Sequence, residues 1–324
     1  MPAAGEQDCR VDGELRRLVN SLKAGEVDLV VAGHAHAWLS GEHTGVPIVE
    51  TPGQGIFVGR ARILIDPKSG MPIAGGVSVD PLIPVCRAQD PDSQVCGPQY
   101  AGYEGVAMPK ADVAAMVEEA RLRVAPVCAQ VVAEADEDIL TGRAVETPLG
   151  NLTADLMREA AAEVGQDGSV RWADLAFTNH GSVRDSLRKG PITMCDLHGV
   201  WPFNDPLVEV RLSGAEVQRL AEFWVGKVGK VPAVSGVRVG RLGGGKVSVH
   251  TQDNQLLDAV REYRVVTSAY LVKGGDRLDS FFRKIPPQRI RILTTEPTYR
   301  DAFARVLKGR FRITAPKVGR IEGL

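Results

Sequence analysis

Two histidines one residue apart, His34 and His36, follow a short, mostly apolar run, Val27-Asp28-Leu29-Val30-Val31-Ala32, near the start of the chain. The run reads as a buried strand, and Gly33 with the small Ala35 turns the chain so that both imidazoles face one site. Neutral imidazole is a common metal ligand. In open α/β sheets, sites gather at the carboxyl ends of strands. A layered α/β fold with a metal-binding strand end is therefore expected. Only 32 residues precede Gly33, and they leave room for one amphipathic helix, residues 12–23, with Leu15, Leu18, Val19 and Leu22 at helical spacing.

The 324 residues are enough for two domains. Thirty-nine basic residues nearly balance forty acidic ones, which argues against broad electrostatic binding of nucleic acid or an anionic membrane. No apolar run approaches a membrane span. The first eight residues have no basic region followed by an apolar stretch, so no signal peptide is expected. Five cysteines are scattered, with no Cys-x-x-Cys pair. Cys86 and Cys96 flank a polar loop and are either a disulfide, which suits an oxidising compartment, or two free thiols.

Further strands are expected at residues 46–51 and 56–65, the second alternating apolar and polar side chains through its middle. Asp66-Pro67-Lys68-Ser69-Gly70 is a turn. Residues 80–109, rich in Pro, Gly and Asp, read as a connection. Residues 110–135 read as a helix with one apolar face, Val113, Met116, Val117, Ala120 and Val124, kinked or interrupted at Pro126. Beyond it the pattern is α/β: a helix over 151–164, in which Asn151 is a candidate cap, strands at 175–177, 208–212 and 263–270, and a helix opened by the capping box Ser213-Gly214-Ala215-Glu216.

Four stretches in register resemble the 5′-nucleotidase family, which includes UDP-sugar hydrolases. They are Glu146-Thr147-Pro148-Leu149-Gly150-Asn151-Leu152, Asn179-His180-Gly181-Ser182-Val183-Arg184, Trp201-Pro202-Phe203-Asn204-Asp205-Pro206-Leu207, and Tyr270-Leu271-Val272-Lys273-Gly274-Gly275-Asp276. Gly33-His34-Ala35-His36 is similar to the last metal motif of the calcineurin-like metallophosphoesterase domain found in that family. The resemblance implies residues 1–85 as the tail of that sandwich domain, residues 86–135 as a connection and linker helix, and residues 136–324 as a complete mixed-sheet substrate domain. It implies phosphoester hydrolysis with two divalent metals, zinc, manganese or similar. It puts Asn179 and Arg184 on substrate, Phe203 and Tyr270 on either face of a base, Asp276 on its polar edge or the ribose, and Asp205 where the family commonly has Asn. A base has a π-face that rings can sandwich, and a guanidinium grips phosphate bidentately. Arg143 is a lesser candidate for phosphate. The alternative function is a non-enzymatic nucleotide-binding module.

The family's earlier metal motifs are Asp-x-His, Gly-Asp-x-x-Asp and Asn-His-Asp/Glu. Fragments of this kind occur as Asp196-Leu197-His198, Gly275-Asp276-Arg277-Leu278-Asp279 and Asn179-His180, but all follow His36 and run in the wrong order, so they are read as coincidences. His34 and His36 alone should bind metal weakly, since catalytic zinc takes three protein ligands. The resemblance thus implies an N-terminally truncated domain, either a fragment or one whose missing half another chain supplies in trans; a dimer that covers the exposed sheet edge is the other partner expected. Members of the family are commonly exported.

Overall fold

In the computed structural model the described residues are 14–85, 110–142, 145–228, 231–242 and 246–323. Cys86, Cys96 and Arg143 lie outside them. The chain is mixed α/β and divides into two compact units, Met1–Val117 and Glu118–Leu324.

The first unit contains α1 (Glu14–Ser21), β1 (Val30–Val31), β2 (Leu39–His43), β3 (Val46–Glu50), β4 (Phe57–Val58), β5 (Ala61–Ile65), β6 (Pro72–Val79) and β7 (Ile83–Pro84). β1 pairs parallel with β3, and β3 pairs antiparallel with β2. Its core is small: Val49, Phe57 and Leu82, flanked by Trp38 and Val79. β1 is only two residues long, and Val31 is 76% exposed, so the expected buried strand is short and open to solvent. The expected strand over 56–65 is two strands. β4 pairs with β7 and β5 with β6, and the break falls at Gly59, where a Cβ would lie 2.5 Å from the Val49 side chain. The turn after β5 forms as read, with Gly70 N–H bonded to the Asp66 carbonyl.

α2 (Ala111–Cys128) carries Pro126 inside it and stops two residues later. A proline removes a donor and crowds the preceding turn, and β-branched Val131 and Val132 then favour a strand. Residues 131–135 are accordingly β8 (Val131–Ala135) rather than helix. No described residue of α2 is buried, so its expected apolar face is uncovered.

The second unit continues with α3 (Pro148–Ala160), β9 (Glu163–Val164), β10 (Val170–Arg171), β11 (Leu175–Asn179), β12 (Gly190–Thr193), α4 (Met194–Val200), β13 (Leu207–Ser213), α5 (Gly214–Phe223), β14 (Pro232–Ser235), β15 (Val237–Arg241), β16 (Val247–Thr251), β17 (Glu262–Ser268), α6 (Ala269–Val272), α7 (Asp279–Phe282), β18 (Ile290–Ile292), α8 (Tyr299–Arg310), β19 (Arg312–Ile313) and β20 (Ile321–Glu322). A five-stranded sheet in the order β14-β11-β17-β13-β18 is its centre. Two large apolar clusters form the core: one draws on α3, α4 and α8, and the other on α5 and the β15–β16 pair. The box at Ser213 and Glu216 opens α5 as read.

α3 begins at Pro148 with Thr147 as its cap, so Asn151 is not the capping residue, and Glu163–Val164 is a strand rather than the helix's end. Asn151 instead donates to Glu146 Oε1 and the Lys317 carbonyl. Glu146 also accepts from the backbone N–H groups of Gly319, Arg320 and Ile321. The Glu146–Leu152 motif therefore anchors the C-terminal strand β20. A disulfide joins Cys128 to Cys195, tying the end of α2 to α4. No described helix is long and apolar enough to cross a membrane.

Candidate functional site

The central sheet brings three of the sequence motifs to one end. β11 and β17 run parallel, so Asn179 and Ser268 close them on the same side. β13 is antiparallel to β17 and pairs Leu207 with Ser268, so the segment before Leu207 emerges there too. This is the carboxyl end of the parallel strands, where ligands of such sheets gather.

After β11 the chain makes one turn of 3₁₀ helix, His180–Ser182. Ser182 Oγ donates to the Asn179 carbonyl, and Arg184 N–H bonds to the Val200 carbonyl. Arg184 is exposed, its guanidinium carbon 5.1 Å from the centre of the Phe203 ring, a cation–π distance. No carboxylate pairs with Arg184 among the described residues. Phe203 is half-buried and packs against the first apolar cluster.

After β17, Ser268 caps α6, and Ala269 N–H bonds to the Pro206 carbonyl, which sets the Phe203 loop beside α6. Tyr270, expected as the last residue of a strand, thus lies instead on a helical turn two residues past the end of β17, and is 46% exposed. Gly274 has φ +109°, where only glycine is unstrained, and Gly275 leaves room for Tyr270: a Cβ there would meet the ring at 2.3 Å. Asp276 and Arg277 both have positive φ, a strained pair of the kind found at functional sites. The strain coincides with a contact. Asn179 Nδ2 donates to Asp276 Oδ2 at 2.7 Å. Asn179 Oδ1 is buried with no partner among the described residues.

Burial pushes the Asp205 carboxyl up from its ordinary range, against the pull of nearby Lys273. Burial and the Asp205 charge push the Tyr299 phenol well above its usual range, and its hydroxyl has no described partner. The end of the sheet therefore offers one uncompensated guanidinium, one half-buried and one exposed ring, and several oxygen acceptors. That set can hold an anionic group, an aromatic face and hydrogen-bond donors. Lys273, Tyr299 and Arg300 join it without having been marked as candidates. Lys273 sits inside a quoted motif, whereas Tyr299 and Arg300 begin a helix with no motif.

The first unit carries the two histidines. His34 (φ +69°) and His36 (φ +55°) are exposed and left-handed in the loop after β1. The His36 ring lies against Gly53, where a Cβ would come within 2.3 Å of it. Buried Glu50 accepts from the Ala37 N–H, and His43 Nε2 is bonded to Asn20 Oδ1. Among the described residues no three His, Cys, Asp or Glu side chains gather around a metal-sized space. Two imidazoles do not fit the donor set that a two-metal centre needs.

The coincidental motifs have other work. Asp196 accepts from the N–H and hydroxyl of Thr193 in the capping box of α4. Asp276 is held by Asn179. His180 is buried against Gly150, with Nδ1 3.5 Å from Thr147 Oγ1, and burial lowers its pKa.

Residues 128–283 match the family model described as the 5′-nucleotidase C-terminal domain. The chain is 26% identical over 212 residues to the endonuclease YhcR of Bacillus subtilis, covering 65% of this chain and 15% of that protein. It is 32% identical over 146 residues to a 5′-nucleotidase of Vibrio parahaemolyticus, covering 44% of this chain and 24% of that one. The crystal structure of a 5′-nucleotidase precursor from Thermus thermophilus superposes with a TM-score of 0.64 at 24% identity, over 92% of this chain and 59% of that one. The chain therefore spans less than two thirds of each of these proteins.

Proposed function

We propose, from the premise that the chain belongs to the 5′-nucleotidase family, whose C-terminal domain it carries over residues 128–283, that it binds a nucleotide or nucleoside at the end of the central sheet. In this reading Arg184 holds phosphate, Phe203 and Tyr270 take the faces of the base, and Asn179, Asp205 and Asp276 accept from base or ribose donors. The observation that carries it is the exposed Arg184 guanidinium, without a carboxylate partner among the described residues and stacked on Phe203. Arg320, by contrast, is bonded through both terminal nitrogens to Asp155.

The family chemistry is phosphoester hydrolysis, in which divalent metals activate water and neutralise charge on the phosphoryl group. Our reading is that this chain contributes the substrate-binding part. His34 and His36 are a fraction of the metal set, and a further polypeptide supplies the rest. The Cys128–Cys195 disulfide supports an oxidising compartment. A second reading, a nucleotide-binding module without catalysis, is favoured by the lack, among the described residues, of a third His, Cys, Asp or Glu gathered with the two histidines.

The test is hydrolysis with Mn²⁺, Co²⁺ or Zn²⁺, read as phosphate from AMP and ATP and as UMP with glucose 1-phosphate from UDP-glucose, alongside equilibrium binding of AMP. Binding without turnover is expected. Turnover on the order of 10 s⁻¹, an ordinary enzyme value, that vanishes in His34→Ala would overturn the inactive reading. Absence of AMP binding would overturn the site.

A further inference from the structure

We propose that Arg300 is a positioning residue that fixes the Phe203 loop from beneath and so sets the ring for its ligand. The inference rests on the reading of Phe203 as a ligand contact. Arg300 is the second residue of α8 and is only 5% exposed. Its Nη1 donates to the Trp201 carbonyl at 2.9 Å and reaches the Phe203 carbonyl at 3.5 Å, and its Nη2 donates to Asn204 Oδ1 at 2.9 Å. The residue before it adds a fourth tie, Tyr299 N–H to the Asp205 carbonyl at 2.8 Å. Two consecutive helix residues thus hold Trp201, Phe203, Asn204 and Asp205.

No carboxylate forms an ion pair with Arg300 among the described residues. A buried cation without a counter-ion is costly unless dipoles replace its water. Here the loop's own carbonyls do so for the two terminal nitrogens, while Nε is buried without a partner among the described residues, and charge-assisted bonds are the strong ones. Loop and guanidinium therefore depend on each other. A planar fork reaches three acceptors at once, which a lysine ammonium on a flexible stem cannot.

The loop is tied at both ends as well. Trp201 Nε1 donates to buried Thr153 Oγ1, and Pro206 accepts from Ala269. Pro202 and Pro206 restrict the backbone between. Phe203 is left with Arg300 below its backbone and Arg184 over its ring. A ring held this way spends less entropy on binding.

The experiment uses the full chain as wild type, Arg300→Met, Arg300→Lys, Phe203→Ala and the Arg300→Met/Phe203→Ala double variant, with Asn204→Ala as a milder probe should Arg300→Met fail to fold. The first readout needs no ligand. The Arg184 Nε–H resonance, assigned through Arg184→Lys, should carry a ring-current shift from Phe203 and lose it in Arg300→Met, in part in Arg300→Lys and Asn204→Ala. The second is adenosine affinity in EDTA. Arg300→Met should weaken it about ten-fold, the scale of one charge-assisted bond, and the double variant should be no weaker than Phe203→Ala alone. An unmoved Arg184 resonance overturns the proposal, as do additive losses in the double variant. If the wild type does not bind adenosine, the nucleotide reading fails and the resonance alone decides the role of Arg300.

Discussion

Asn179 and Asp276, 97 residues apart, meet in a 2.7 Å hydrogen bond that ties the last residue of β11 to the strained turn after α6. A carboxylate acceptor makes this bond stronger than a neutral one. Asn179 Oδ1 is left as a buried acceptor without a partner among the described residues.

The pair should act as a unit. Asn179→Ala and Asp276→Ala should each weaken nucleoside binding about ten-fold, and the double variant should lose little more than either single one. Calorimetric titration of adenosine against the three variants checks this.

Glu146 should make the C-terminal strand acid-labile. Burial alone would raise its carboxyl, but donors from Asn151, Arg320, Gly319 and Ile321 hold it below the usual carboxylate range. A depressed carboxylate stabilises the fold at neutral pH, and that contribution is lost as pH falls below the ordinary glutamate value, about 4.3, through the lowered one. Hydrogen exchange of residues 319–322 should rise in that window while the central sheet stays protected. Glu146→Gln should raise it already at pH 7.

The Cys128–Cys195 bridge, 67 residues apart in sequence, should stabilise the second unit. Loss of such a bridge costs about 2–4 kcal/mol. The Cys128→Ser/Cys195→Ser variant, or wild type in excess reductant, should therefore unfold at lower denaturant, with an unchanged fold by circular dichroism.

The first unit should be the weaker one. Among its described residues the clustered core is only Val49, Phe57 and Leu82, and Ile63, Leu64, Ile65, Met71 and Ile73 of the β5–β6 hairpin and its turn are exposed. Segments with few buried apolar contacts open most easily. Limited proteolysis should remove residues before about 118 and leave a resistant fragment containing the second unit.

Local signals were legible where local physics decides. Ser213 with Glu216, Asp66 with Gly70, and the strand read at 175–177, which runs on to Asn179, followed from capping, turn chemistry and apolar runs. What escaped was set by distant partners. Thr147 outcompeted Asn151 as a cap because Asn151 is drawn to Glu146 and Lys317. Tyr270 left its strand because Ser268 caps a helical turn. Cys128 found Cys195 through the pairing of β8 with β12. Arg300 gave no signal, because its acceptors are carbonyls about a hundred residues away and carry no sequence mark. Of the candidate residues, Asn179 with Asp276 and Arg184 with Phe203 come into contact, whereas His34 and His36 find no third donor among the described residues.

Titration of adenosine in EDTA against wild type, Phe203→Ala, Tyr270→Ala and Gly275→Ala tests the central claim most directly. Stacking contributes about 1–3 kcal/mol per base, so removal of either ring should weaken binding about five-fold to a hundred-fold. Gly275→Ala should weaken it too, by displacing the Tyr270 ring, while exposed Tyr270 leaves stability nearly unchanged. Metal-free binding that falls in all three variants is the result the account predicts. Affinity unchanged in Phe203→Ala and Tyr270→Ala, or no binding to the wild type, would contradict it.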